Sequence, residues 1–505
     1  MTEQRVIGTE TEYGVFRPGD VYANAVALST QAVRAYAPRS RGAGSTAQPV
    51  EWDYRGEDPL NDLRGRRLDR ANADPSLLTD DPYHLAPSGG AEELARPSQD
   101  APTRQRPTSV VLSNGARLYV DHAHPEYSSP EVATAHDAVR WDRAGDVIAR
   151  RIMELNEAAG DAPLVLVKNN VDGKGATYGS HENYQVDRMA DLDDIIRFMI
   201  PFLVTRPIIC GAGRVGIGQT SATAGFQISQ RADYVENDIG LETTFNRPIF
   251  NTRDEPHADG NRWRRVHVIG GDANQFDVSI LLRTGTTALV LWAIEQGVDL
   301  SWEGLDLAGP VGATQLVSQD LGMSAEIPLQ NGGEATAIQI QQRYLDLVQA
   351  AFFRTGTEPT GAQSEVMGRW QQVLDGLRDD VFSVAAQVEW VGKYQLLLRQ
   401  KERLQCGWDD PRLAAMDLQW ADLRPDRSLV AALDRAGMVE RMFTPEQIEW
   451  AADNPPVDTR ASARGQAVAS DDGLVQASWT SLVFDDPSRG VYRRVPLADP
   501  TERSF

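Results

Sequence analysis

The stretch "NGARLYVDHAHPEYSSPE", residues 114–131, is the most informative part of the sequence for the fold, because it predicts a β-hairpin with an unusual polar face. Asn114-Gly115 is a strong signal for a two-residue hairpin turn. In the strand that follows, side chains alternate between two faces, and one of these faces is apolar. The other face carries a guanidinium, a phenol and a carboxylate in a row, from Arg117, Tyr119 and Asp121. Such a row is not what an ordinary half-buried strand displays, and it indicates a functional site.

Further acidic and imidazole side chains lie on the polar faces of other predicted strands. In "RVIGTETEYGVF", residues 5–16, Glu10 and Glu12 are two positions apart and therefore share a face. Carboxylates and imidazoles that converge from several strands suit a hard cation such as Mg²⁺, which usually bridges nucleotide phosphates, and arginine forks pair with those phosphates. The full candidate set is Glu10, Glu12, Tyr119, Asp121, Glu126, His181, Glu182 and His267, accompanied by Arg117 and Arg265.

Each piece of this set also has an ordinary structural explanation. The "ETE" of residues 10–12 is, by itself, more typical of a solvated strand face, and a lone His181 or His267 is more often a structural residue. The glycines of "VGIGQTSATAG", residues 215–225, lack the strand-loop-helix context of a phosphate-binding loop, so hairpin turns explain them equally well. Only the occurrence of all these residues on strand faces within one domain favours a metal and nucleotide site.

Composition limits the function classes. The chain has 505 residues, 41% hydrophobic and 24% charged, which is ordinary for a globular protein. A net charge of −22 argues against general nucleic-acid binding. Two cysteines without a CxxC pair favour a reducing cytoplasm over an oxidising compartment. The N-terminus does not have the pattern of a secretion signal, and we expect neither a transmembrane helix nor a membrane partner.

The order of predicted elements indicates an α+β fold, an antiparallel sheet with helices packed on one face. Helices are expected at residues 26–37, 134–160 and 192–204. Residues 38–107 are rich in Arg, Asp, Gly, Pro and Ser and contain few large apolar residues, which is typical of a long mobile insertion.

Four motifs together resemble the Dop/PafA family of the actinobacterial Pup-proteasome system. They are "GTETEYGV", "NGARLYVDHAHPEYSSPE", "KNNVDGKGATYGSHENY" and "RRVHVIGGDAN". The resemblance runs over nearly the whole chain and implies a glutamine-synthetase-like fold. It places a catalytic domain at 1–435, with a Dop-type loop at about 40–80, and a small C-terminal domain at 436–505. The loop, the N-terminal motif followed by "STQAVRAYA" and the short spacing in "DHAHPEY" favour the Dop branch.

The resemblance also implies roles for single residues. Asp121 matches the catalytic aspartate. The matched metal-site positions are Glu10, Tyr119, Glu126, His181 and His267. The matched nucleotide contacts are Arg117, Ser129, Arg265 and Trp479. The implied cofactors are Mg²⁺ and an ATP that is bound but not consumed in each turnover.

The implied function is that of a hydrolase that acts on Pup, an acidic disordered protein, and on pupylated proteins. It would deamidate the C-terminal Gln of Pup to Glu and cleave the isopeptide bond between Pup and lysine. Asp121 would attack the amide carbonyl or activate a water, and the sequence does not choose between these. The alternatives are a PafA-type ligase that consumes ATP and a non-enzymatic nucleotide-binding or adaptor protein.

Overall fold

A computed structural model describes residues 5–73, 78, 91–95, 108–297, 304–470 and 473–503, and all structural statements concern these residues. The helices are α1 Ala25–Tyr36, α2 Ala135–Ala158, α3 Leu192–Thr205, α4 Pro207–Cys210, α5 Asp277–Glu295, α6 Pro310–Gln319, α7 Ala337–Thr355, α8 Gly361–Asp379, α9 Glu389–Leu404, α10 Pro411–Ala421, α11 Leu429–Arg435, α12 Pro445–Asp453 and α13 Ala461–Ser470. The strands are β1 Ile7–Glu12, β2 Gly14–Phe16, β3 Glu51–Trp52, β4 Asn61–Asp62, β5 Arg66–Arg67, β6 Glu92–Ala95, β7 Ser109–Val111, β8 Arg117–Asp121, β9 His124–Ser128, β10 Val165–Val167, β11 Ser180–Asp187, β12 Arg214–Ile217, β13 Thr223–Gln227, β14 Asn237–Gly240, β15 Pro248–Asn251, β16 Trp263–Val268, β17 Ile327–Pro328, β18 Glu334–Ala335, β19 Leu474–Ala477, β20 Ser481–Asp486 and β21 Val491–Pro496.

The main sheet has the strand order β14-β15-β16-β11-β1-β9-β8-β7 and is antiparallel except at the β14-β15 pair. Its apolar face packs on helices, and the shared core includes Leu118 and Val120 from β8 and Val147 and Ile148 from α2. The predicted α+β class is therefore confirmed, as is the alternation of faces along β8.

The hairpin between β7 and β8 forms as predicted, but its connection differs from the predicted two-residue turn. The Leu112 N–H donates to the Ala116 carbonyl at 2.9 Å, so the connection has three residues, 113–115. Gly115 has φ 82°, and a Cβ added there would lie 2.9 Å from the Ala461 carbonyl oxygen. Glycine is needed at this position for both reasons, since the turn packs directly against the start of α13.

Helix α5 is long and apolar enough, by length and composition, to cross a membrane. However, 94% of its most apolar 18-residue window is buried inside the protein. It contacts α2, α7 and α8, which is the position of a core helix.

A second sheet has the order β3-β19-β20-β21-β6 and its own apolar cluster. Two of its strands, β3 and β6, come from the segment predicted as a mobile insertion at 38–107. Trp52 is 2% exposed and Val50 0%, and both pack in this second cluster, while Leu60 is also buried. This part of the segment therefore contributes to a core. Residues 74–77, 79–90 and 96–107 of the predicted insertion lie outside the described residues, and the domain bounds remain a prediction.

Candidate metal and nucleotide site

Strand register places several of the predicted site residues in two rows across the polar face of the main sheet. Glu182, from the same candidate set, lies on the opposite face, where Arg206 Nη1 is 2.7 Å from its carboxylate. In the first row Tyr119 is opposite Glu126, and Glu126 is opposite Glu12. In the second row Arg117 is opposite Ser128, which is opposite Glu10, which in turn is opposite His181. Directly opposed residues lie on the same face of a sheet, so the rows bring together side chains from four strands.

The first row and Asp121, two residues after Tyr119 on β8, form a cluster of acids. Carboxylate oxygens of Glu12, Asp121 and Glu126 all lie within 4.8 Å of one another. The Tyr119 hydroxyl donates to Glu126 Oε1 at 2.7 Å, and Ser128 Oγ donates to the same oxygen at 3.0 Å. Glu126 is only 1% exposed, so the cluster gathers negative charge in a buried position.

The second row brings Glu10 against two imidazoles. Glu10 Oε2 lies 3.0 Å from His181 Nδ1 and 3.7 Å from His267 Nε2, and Asn183 Nδ2 donates to Oε1 at 2.9 Å. Potential ligand atoms of Glu10, His181 and His267 lie within 4.8 Å of one another. These contacts join three of the residues that the sequence assigned to a metal site.

Two carboxylates of the acid cluster have pKa values shifted in opposite directions. Burial raises the pKa of Glu126 well above its usual range, and the charges of Asp121, Glu10 and Glu12 raise it further. For Glu12, burial also acts to raise the pKa, but the His124 ring, 3.4 Å from the carboxylate, and the charge of His181 outweigh it and lower the pKa to about 2. Several carboxylates therefore compete for protons within one small volume, a situation that a bound divalent cation relieves.

The pKa of Glu10 and the pKa of His267 are both lowered. Burial acts to raise the pKa of Glu10, but the hydrogen bond with His181 and the nearby His267 ring lower it well below its usual range. Burial, aided by the Arg265 charge, lowers the pKa of His267 to about 3. His267 is therefore neutral, because burial and the Arg265 charge both disfavour its charged form. A neutral His267 contributes no positive charge to Glu10, and a cation at this position would supply it.

Beside the second row lies a cavity that contains three of the four predicted nucleotide contacts, Ser129, Arg265 and Trp479. Glu10 lines the same cavity, so the metal-site row and the cavity are continuous. Arg265 is anchored by Asn183, to which its Nη1 donates at 2.8 Å. Residues from β1, β9, β11, β16 and the second sheet thus enclose one space.

Arg117, the fourth predicted nucleotide contact, does not line this cavity. Its guanidinium carbon lies 3.9 Å from the centroid of the Tyr119 ring and 4.1 Å from that of the Trp52 ring. Its Nη1 is 3.6 Å from Glu57 Oε1. The Trp52 ring in turn packs edge-on against Trp479 at 5.1 Å, so Arg117 adjoins the cavity through an aromatic contact.

Sequence reasoning gave no site role to several residues that the structure places here. Asn183 bonds both Glu10 and Arg265, and its position two residues after His181 in a strand was the available signal. His257, at φ 49°, lines the cavity from the loop before β16, and no local pattern indicates it. Glu12 belongs to the candidate set predicted from the strand faces, although the family resemblance gave it no role, and it completes the acid cluster.

Known proteins of one family match nearly the whole chain. Residues 5–483 match the model of the family described as Pup-ligase protein. The chain is 44% identical to a protein named depupylase from Acidothermus cellulolyticus, covering 98% of this chain and 94% of that protein. It is 43% identical to a protein named Pup deamidase/depupylase from Mycolicibacterium smegmatis, covering 99% and 95%.

Two solved structures are also similar. A complex between Pup and its ligase PafA has a TM-score of 0.78 at 31% identity, covering 100% of this chain and 90% of that one. PafA in complex with ADP has a TM-score of 0.72 at 36% identity, covering 79% and 88%. The ligase structures are less similar in sequence than the two proteins named for removal or deamidation of Pup.

Proposed function

The chain belongs to the Pup-ligase protein family, and we propose that its activity is hydrolytic, as a Pup deamidase and depupylase. Its partners are Pup and pupylated proteins. In the first reaction water replaces ammonia at the side-chain amide of the C-terminal Gln of Pup. In the second, water replaces the lysine amine of the modified protein. Both reactions are amide hydrolysis at the same acyl group, so one site serves both.

The observation that carries the assignment of the reacting group is the position of Asp121 in the acid cluster. Its side chain is 25% exposed, whereas Glu126 is 1% and Glu12 8% exposed as residues. Asp121 is therefore the carboxylate of this cluster that a substrate amide can approach. It either attacks the carbonyl, to give an anhydride that water opens, or takes a proton from the attacking water.

The neighbouring groups suit a nucleotide and a divalent cation. The PafA structure in complex with ADP supports nucleotide binding by this chain, and we place the nucleotide in the cavity beside Glu10. Glu10, Glu126, His181 and His267 offer carboxylate oxygen and imidazole nitrogen donors to Mg²⁺, and Tyr119 orients Glu126 through its hydroxyl. Bound Mg²⁺ would screen phosphate charge and hold the nucleotide beside Asp121. Hydrolysis of an amide in water is downhill, so the nucleotide completes the site and is not cleaved in each turnover.

The cellular context of the reaction follows from composition. Burial raises the pKa of the Cys210 thiol to about 12, so this cysteine is unreactive, and the chain has only one other cysteine, Cys406. A protein that needs no disulfide suits a reducing compartment. We place the activity in the cytoplasm.

Mass measurement tests this function directly. The protein is incubated with Mg²⁺-ATP and either Pup ending in Gln or a Pup-modified protein. We expect a gain of about one mass unit on Pup and release of the unmodified protein, respectively. Asp121→Asn should abolish both changes, and Asp426→Asn, in the connection between α10 and α11, serves as the control. Joining of Pup to a free lysine substrate, without any release, would contradict the hydrolase assignment.

A further inference from the structure

Arg460 is a buried cation that lines the nucleotide cavity and that the sequence did not assign. It precedes α13, is 4% exposed and faces the cavity together with Ser129 and Trp479. Its Nε donates to Glu131 Oε1 at 2.5 Å and its Nη1 donates to the Leu497 carbonyl at 2.8 Å. Its other terminal nitrogen, Nη2, makes no hydrogen bond with any residue that the structure describes. A buried guanidinium with a donor left over beside a cavity is suited to a ligand that accepts hydrogen bonds.

Glu131 fixes this guanidinium in place. One carboxylate oxygen accepts from Arg460, and Arg464 Nη2 donates to the other. Arg464 also donates to the Trp479 carbonyl at 3.3 Å, and its guanidinium lies 4.9 Å from the Trp479 ring centroid. One carboxylate thus accepts hydrogen bonds from two guanidiniums. The charges of Glu131, Arg460 and Arg464 therefore sum to +1 at the cavity wall. This excess positive charge favours an anionic or electron-rich ligand.

Register along the sheet places Arg460 on the side of Glu10 that is remote from the acid cluster. Glu12 is opposite Glu126, Glu10 is opposite Ser128, and Ile7 is opposite Val132. Glu131 therefore lies near the level of Gly8, two strand residues or about 7 Å from Glu10. The order along β1 is acid cluster, then Glu10, then Arg460.

We propose that Arg460 is a further nucleotide-contacting residue, which binds the nucleoside monophosphate half of the nucleotide, with Glu131 as its positioning residue. The inference rests on the proposed function, because it takes the cavity as the nucleotide site. In this placement the metal and the terminal phosphates lie beside Glu10. The sugar, the base and the first phosphate then lie at the level of Arg460. These groups offer the acceptors that Nη2 lacks.

Calorimetric titration of the full-length protein with ADP and with AMP, both with Mg²⁺, tests the contact. A hydrogen bond to a charged group contributes about 1.5–3 kcal/mol, so Arg460→Gln should raise the Kd about 10- to 150-fold. The factor should be the same for AMP and ADP. Arg460→Lys keeps the charge but loses the planar guanidinium, so it should also weaken the binding of both nucleotides. If Arg460→Gln does not fold, Arg460→Lys takes its place in the test. Arg143→Gln, which removes a buried arginine between Asp146 and Asp277, should change the Kd less than about twofold.

The outcomes separate the two proposals. Failure of the unchanged protein to bind either nucleotide would overturn the nucleotide site itself. Normal nucleotide binding by both Arg460 variants would overturn the present inference alone, and so would a loss seen with ADP but not with AMP.

A double-mutant cycle tests the role of Glu131. If Glu131 acts by orienting Arg460, then Glu131→Gln and Arg460→Gln together should weaken AMP binding no more than the stronger single change does. If Glu131 only stabilises the fold, its effect on binding should be absent or should add to that of Arg460→Gln. Either of those results would remove the positioning role.

Discussion

Glu131→Gln should destabilise the protein in a pH-dependent way, because the carboxylate is held between Arg460 and Arg464. Burial acts to raise the pKa of Glu131, but the charges and hydrogen bonds of these two arginines lower it from 4.5 to about 2. The difference of about 2.5, at about 1.4 kcal/mol per pKa unit, gives about 3 kcal/mol of stability at pH 7. A depressed pKa stabilises the fold above the unfolded value of 4.5, and the effect is lost as the pH falls towards 2. About half of this stabilisation should therefore remain near pH 3.

The assay is urea unfolding of the natural protein and of Glu131→Gln at pH 7, 5, 4 and 3. We expect the difference between their free energies of unfolding to narrow by about 1–2 kcal/mol over this range. Glu389 gives a control of opposite sign, because burial raises its pKa, so the stability of the natural protein relative to Glu389→Gln should rise as the pH falls. A difference for Glu131→Gln that stays constant from pH 7 to pH 3 would refute the ion-pair reasoning.

Three further predictions concern the site and the second sheet. Asp121→Asn should abolish release of Pup while nucleotide Kd, measured by calorimetry, changes less than about twofold; normal turnover would remove Asp121 from the reaction. Glu126→Gln should weaken Mg²⁺ binding about tenfold or more, because an oxygen ligand loses its charge, and an unchanged Mg²⁺ titration would contradict a metal at this cluster. Trp52→Ala should lower the free energy of unfolding by about 3–5 kcal/mol, because the indole is 2% exposed, and a loss below about 1 kcal/mol in urea unfolding would place the segment outside the core.

The strand faces could be predicted because alternation is a local property of the chain. The alternation of polar and apolar residues around Glu10, Tyr119 and Asp121 is visible within a few consecutive residues. Strand pairing then brings these three side chains into adjacent rows. The same reasoning placed α2 within two residues of its observed ends. Neither result required knowledge of distant parts of the chain.

The contacts that complete the site are long-range, and local patterns do not encode them. Glu131 and Arg460 are 329 positions apart in the chain. Trp52 lies in a segment dominated by Arg, Asp and Gly, in which only a few residues are apolar and buried. The average composition of the segment therefore predicted a mobile insertion, whereas the structure has a strand paired with β19. The unused Nη2 donor of Arg460 depends on how its other nitrogens are held by Glu131, which follows β9, and by Leu497, which follows β21. Only the structure brings these residues together.

The most direct test of the central claim is the amount of ATP cleaved for each Pup removed. A Pup-modified protein is treated with the enzyme and Mg²⁺ in the presence of ATP or of a poorly hydrolysable ATP analogue. We predict release of Pup at a comparable rate with both, and far less than one ATP cleaved for each Pup released. One ATP consumed per Pup, together with no release in the analogue, would contradict the hydrolase account and favour a ligase that activates a carboxylate in every cycle.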